Sequence, residues 1–224
     1  MNDGLRAVQE HLTRLAPLHL RGSWLHGSVV LGGYHHGISD QDLVVELDHP
    51  LSAKERALVH SSHEQAGPSL ATSYLEGKDD PRPWTWTHGW CGRRRVGLIT
   101  RAELHLAHPD SWPEIFNIPG VVAREVTQVW RPLLKLPGPW LKTEYVDLSL
   151  TSVARALLTQ ETGALCTKDA ALQTLQPLGV SPRLAEAVTA RREGRAVAPH
   201  HIVGRAVQTR SQVKRLLSLL EPHL

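Results

Sequence analysis

Partway along this chain the spacing of apolar residues changes, and that change constrains the fold more than any other feature. Up to about residue 115 short alternating runs mix with helical stretches; after Gly120 nearly every apolar residue recurs at the helical period of about 3.6. The early part offers an amphipathic helix over 5–16, with Leu5, Val8, Leu12 and Leu15 on one side and Pro17 to end it. Strand-like stretches follow at 19–26, 43–47, 70–75 and 84–88, the last reading as an edge strand. Between the second and third lies a helix over 52–64, where Ser52 and Glu55 have the spacing of a capping box. A short helix over 100–108 would be capped by Thr100, with Glu103 at the box position. The later part offers helices over 121–134, 146–159, 169–175, 183–192 and 203–220, parted by prolines and glycines. The pattern predicts an α+β chain: a domain over 1–115 with a short mixed sheet, then an all-helical bundle over 116–224.

Composition narrows the partners more than the activity. The 41% hydrophobic and 21% charged residues are those of an ordinary globular protein, and no apolar run reaches the ~20 residues of a membrane span. The opening Met1-Asn2-Asp3-Gly4 has neither the basic nor the apolar region of a secretory signal, so a cytoplasmic protein without membrane partners is expected. The charge of +3 comes from Arg93-Arg94-Arg95 and the last third rather than from a basic stripe interleaved with aromatics. Nucleic acid is therefore not an expected partner. The histidines are scattered, none in a zinc-binding frame, and the two cysteines, Cys91 and Cys166, form no disulfide framework. A monomer is expected.

The segment from Leu25 to Val45 carries the chemistry. A strand delivers Gly27-Ser28 to what reads as the start of a helix, where free backbone amides and the helix dipole favour an anion. Glycine allows close approach of a phosphate, and the Ser28 hydroxyl can donate to one of its oxygens. Further on, Asp40 and Asp42 flank Gln41 as a β-branched strand begins. Period-two geometry places both carboxylates on one face, where they repel unless a cation lies between them. Mg²⁺ is commonly held this way, by one or two carboxylates together with substrate phosphates. The arrangement suits phosphoryl or nucleotidyl transfer with two ions, one neutralising a triphosphate and one lowering the pKa of an attacking hydroxyl.

Gly27-Ser28, the Gly32-Gly33 pair and Ser39-Asp40-Gln41-Asp42-Leu43-Val44-Val45 resemble the signature of the DNA polymerase β-like nucleotidyltransferases. The likeness is closest to the aminoglycoside 3″-adenylyltransferases that modify streptomycin and spectinomycin, an antibiotic-resistance activity. It continues in Arg155 to Gly163 and in Cys166-Thr167-Lys168-Asp169-Ala170-Ala171, which resemble that family's segment where one helix ends and the next begins. The resemblance implies ATP as substrate, Mg²⁺ on Asp40 and Asp42, phosphates at Gly27 and Ser28, and a small hydroxylated acceptor. It places Trp90, after His88-Gly89, where the family stacks a tryptophan on the drug, and Asp169 where an acid faces it. Lys168, Arg191 and Arg192 are candidates to reach the triphosphate.

Two departures stand out. The family's general base is a glutamate early in the third strand, and here Ala71 or Thr72 takes that place; Glu76 is the nearest carboxylate, with Asp79 and Asp80 beyond. The helix face bearing Asp169 carries Gln173 four residues on, one acid fewer for a polycationic drug. Alternatives are therefore a protein-modifying enzyme of the antitoxin type and a nucleotide binder without activity.

Overall fold

Five strands lie side by side in chain order: β1 (Leu20–His26), β2 (Gln41–Leu47), β3 (Leu70–Leu75), β4 (Trp84–Thr87) and β5 (Trp90–Arg93). Only β2 and β3 run parallel; the other neighbours are antiparallel, giving a mixed sheet. A parallel pair needs a crossover, and α2 (Ala53–Ala66) provides it. The helix begins as its sequence dictates: the Ser52 hydroxyl accepts from the Glu55 amide, and the Glu55 carboxylate accepts from the Ser52 amide at 2.7 Å. The computed structural model describes residues 3–77, 82–87, 90–94, 101–104, 117–198 and 201–220. The chain divides into two compact units, Met1–Ile115 and Phe116–Leu224.

One face of the sheet packs Leu43, Val45, Leu70, Tyr74 and Trp86 against Val8 of α1 (Asp3–Arg14) and Val59 of α2. The opposite face packs Val44, Leu75 and Trp24 against Leu104. Because β2 is covered on both sides, its middle is continuously apolar rather than alternating. A polar cluster is sealed under the first face. His11 Nε2 lies 2.7 Å from the Tyr74 hydroxyl and its Nδ1 lies 2.8 Å from the Ser62 hydroxyl. The His63 ring, stacked on Trp86, lies beside His11, and its Nε2 is 3.3 Å from the Tyr74 hydroxyl.

Two local expectations need correction. The helix expected after Ser28 is absent: residues 27–32 form turns, with Leu31 N donating to Gly27 O at 3.0 Å and Gly33 N to Ser28 O at 2.9 Å. Gly27 and Gly32 hold positive φ of 64° and 76°, which breaks the run before a helix can propagate. The strand at 84–87 is not an edge, because β5, which includes Cys91 and Gly92, pairs along its outer side. Of the helix expected over 100–108, residues 101–104 are helical, while Thr100 and 105–108 lie outside the described residues, as do Asp79, Asp80 and His88-Gly89.

The second unit is helical. Its first helix, α3 (Ile118–Glu125), passes through a π-helical turn, Val126–Trp130, into Arg131–Leu133. Pro132 accounts for the widening. Its ring would strike the carbonyl one turn back in a regular helix, and the Arg131 amide reaches five residues back to Val126 O instead. A 3₁₀ turn (Gly138–Leu141) leads to α4 (Thr143–Thr162), which Gly163 ends in the left-handed conformation at φ 74°. Then come α5 (Lys168–Thr174), α6 (Pro182–Arg192) and α7 (Ile202–Leu220). Val146, Leu150, Leu175, Leu184 and Leu216 are among its fully buried residues. Among the described residues no helix is long and apolar enough to cross a membrane.

Candidate active site

The position of Asp42 follows from how β2 enters the sheet. The Gln41 amide donates to Ser69 O at 2.7 Å, and its buried side chain donates to the Tyr34 hydroxyl at 3.2 Å. With Gln41 turned to one face, the strand's alternation sends Asp42 to the other. Asp42 stands in register with His26 on β1 and Ala71 on β3, so these three share that face.

The Asp42 carboxylate lies directly against the turn that ends β1. A Cβ added to Gly27 would sit 2.6 Å from Asp42 Oδ2, so only glycine leaves room for the acid there. Ser28 follows, half-buried, and the loop back to β2 is tied down by Ser39, whose buried hydroxyl accepts from the His35 amide at 3.0 Å. Gly27, Ser28 and Asp42 are thus brought together, and Asp40, two residues before, is exposed. Among the described residues no three His, Cys, Asp or Glu side chains gather as a metal cage. The Asp42 carboxylate beside a close-approach turn, with Asp40 two residues before it, is a donor set of the kind Mg²⁺ takes when water and phosphate supply its remaining ligands.

A buried pair on the same face was not legible in the sequence. His26 Nδ1 lies 3.4 Å from Glu103 Oε2, and both residues are buried. His26 could be placed by its period-two position on β1. Glu103, 77 residues away, reads only as a helix-capping residue.

No family model matches the chain, and no curated protein matches it. Among solved structures, spectinomycin adenyltransferase AAD(9) from Enterococcus faecialis, with ATP and spectinomycin, aligns at a TM-score of 0.69 and 13% identity over 96% of this chain and 99% of that one. The chain has the nucleotidyltransferase fold. A complex of E. coli MS115-1 CdnC with HORMA-deltaN aligns over 96% of this chain and 78% of that one at 15% identity, but its TM-score of 0.31 is too low to mark a shared fold.

Within the nucleotidyltransferase fold the remaining candidates separate. Ala71 faces Asp42, whereas Thr72 pairs with Leu43 on the core side, so Ala71 occupies the place beside the acids. Glu76 is not brought to them. It follows the last residue of β3, roughly 15 Å along the strand from Ala71, and accepts from the Leu51 amide at 3.1 Å and from Arg93 at 2.5 Å. The structure thus gives Glu76 partners at the far end of β3 and does not bring it beside Asp42. Trp90 is 42% exposed, with its ring over Gly92. It stands on the face that carries Asp42 but three strands away, about 14 Å at ordinary strand spacing.

In the helical unit, Arg191 grips Asp147 with two bonds of 2.7 and 2.5 Å, and Arg192 donates to Asp169 at 3.1 Å. Burial pushes the Asp147 carboxyl above its ordinary range, against the pull of Arg191. Lys168 opens α5, whose cap is the Thr167 hydroxyl, accepting from the Ala170 amide at 3.0 Å. Arg191, Arg192 and Asp169 thus each have a partner within this unit.

Proposed function

We propose that this chain is a Mg²⁺-dependent nucleotidyltransferase that moves AMP from ATP to a hydroxyl of a small molecule. One observation carries the reading: the Asp42 carboxylate is seated on the backbone of Gly27, with Ser28 next in line. An acid pressed against a close-approach turn makes sense where a cation joins carboxylate to phosphate. Asp40 and Asp42 would hold the ion, whose chemistry there is to neutralise the triphosphate and to ease loss of the acceptor's proton. The Ser28 hydroxyl and the turn's amides donate to the terminal phosphates and fix the α-phosphorus in place. The acceptor oxygen forms a bond to that phosphorus, the bond to pyrophosphate breaks, and the hydroxyl proton is released.

A small acceptor is supported by the named neighbour, which is described with ATP and spectinomycin. Trp90 offers such a molecule an exposed ring. A second reading, a nucleotide binder without turnover, is favoured by the methyl of Ala71 beside Asp42. Calorimetric titration of ATP with and without Mg²⁺, into wild type and Asp42→Asn, tests the site. The expected result is metal-dependent heat that the variant loses; equal, metal-independent heats in both would sink the proposal. Pyrophosphate release on addition of hydroxylated small molecules, spectinomycin among them, then separates enzyme from binder.

A further inference from the structure

The helical unit carries an open apolar hollow of about 690 Å³ between the 3₁₀ turn and α7. The buried indole of Trp140 lines it, with its ring N–H already donated to Leu133 O at 3.2 Å. Leu134 and Leu141 wall one side, and Val203, Ala206 and Val207 the other. Three of these are left in solvent, Leu141 at 47%, Val203 at 56% and Val207 at 65% exposure. Positions 203, 207, 210 and 214 follow at helical spacing, so they form one stripe on α7 about 17 Å long. The stripe begins apolar and ends in Arg210 and Lys214; Arg131 and Lys135 also line the hollow. Arg210 is pinned at the rim by its Nε–H, donated to Leu134 O at 2.7 Å. Among the described residues no carboxylate lines the space.

Four cations around an apolar hollow without one acid define the complement: an apolar body that ends in negative charge. A nucleic acid would leave the apolar lining unused. A bilayer would meet only the exposed rim, because Trp140 lies at the bottom of a concave surface. We propose that this hollow binds a single-chain amphipathic anion, its aliphatic chain lying along Leu141, Val203 and Val207 and its acid group among Arg210, Lys214, Lys135 and Arg131. Carboxylate and phosphate-ester heads share the required chemistry, and the volume is that of an ordinary small-molecule site. The inference stands apart from the proposed nucleotidyl transfer and uses none of its residues.

The test is titration of dodecanoate, below its micelle concentration, into the full chain without nucleotide. One saturable site is expected, with dodecylammonium binding at least tenfold more weakly. Val207→Glu changes a side chain that is already mostly in solvent, and it should cost at least tenfold in dodecanoate affinity. Lys135→Glu with Lys214→Glu should do the same, and circular dichroism should show each variant folded. Hexadecyl phosphate, tested alongside, distinguishes a phosphate head from a carboxylate head, and saturable binding of either supports the site. Absence of saturable binding of both anions overturns the proposal. So do equal affinities for dodecanoate and dodecylammonium, an unchanged affinity in Val207→Glu, or cosedimentation with anionic phospholipid vesicles as the sole interaction.

Discussion

Replacing Gly27 with alanine tests the site without removing any of its chemical groups. Two effects follow from the geometry. Gly27 sits at φ 64°, where a side chain costs about 1–2 kcal/mol of backbone strain. In addition, the new methyl carbon would lie 2.6 Å from Asp42 Oδ2, so the oxygen must retreat by about 0.8 Å to reach ordinary contact at 3.4 Å. Mg²⁺ tolerates displacements of only about 0.2 Å around a metal–oxygen distance near 2.1 Å. The carboxylate would leave the coordination shell, and Mg·ATP affinity should fall at least tenfold, about 1.4 kcal/mol. Gly32→Ala is the control. Its φ of 76° imposes similar strain, yet nothing lies within 4 Å of the added carbon. Both variants should melt about 2–8 °C below wild type, while only Gly27→Ala loses metal-dependent heat in calorimetry. If Gly27→Ala binds Mg·ATP as wild type does, or if Gly32→Ala loses binding equally, the carboxylate–turn contact is not the seat of the ion.

Two further outcomes follow from other parts of the first unit. Burial lowers the His11 pKa from 6.5 to about 4, so this imidazole stays neutral in the fold while the unfolded chain takes up a proton below about pH 6.5. The unfolded state then binds more protons, so stability drops as the pH is lowered through that window, by about 3 kcal/mol from this residue once pH 4 is reached. Urea unfolding at pH 7 and pH 5 should show the decline and His11→Gln should reduce it; an unchanged slope in the variant would refute the assignment. Glu76→Gln should leave Mg·ATP affinity within twofold of wild type and lower Tm by about 2–4 °C, the effect of weakening roughly 1 kcal/mol of bonds to Leu51 and Arg93. Loss of nucleotide binding by a fully folded Glu76→Gln would return that residue to the site.

What the sequence shows and what it hides divide along physical lines. Asp40-Gln41-Asp42, the capping box at Ser52 and Glu55, and the helices of the second half are set by residues near one another in the chain, and local periodicity exposes them. The turn after Gly27 misleads because Gly-Ser following a strand signals both a helix start and a tight turn, and φ at Gly32 decides between them. β5 is hidden because Cys91-Gly92 has turn composition; its ladder with Trp84–Thr87 supplies what propensity lacks. Glu76 is close to the third strand's start in sequence yet far from Asp42, since position along a strand becomes distance only once register is fixed. The pairs Arg191–Asp147 and His26–Glu103 span 44 and 77 residues, and no local pattern announces them.

The parallel register of β2 and β3 has a consequence beyond architecture. Two strands running the same way start at the same end of a sheet, and residue 71 therefore stands one strand spacing, about 4.8 Å, from residue 42. At that place beside Asp42 this chain carries the methyl group of Ala71. Under the proposed transfer, the group that takes the hydroxyl proton would come from elsewhere: from the incoming molecule, from solvent, or from a neighbouring segment such as the one bearing Glu103. Register thus decides which residue of β3 neighbours Asp42, and at that position the strand offers no carboxylate.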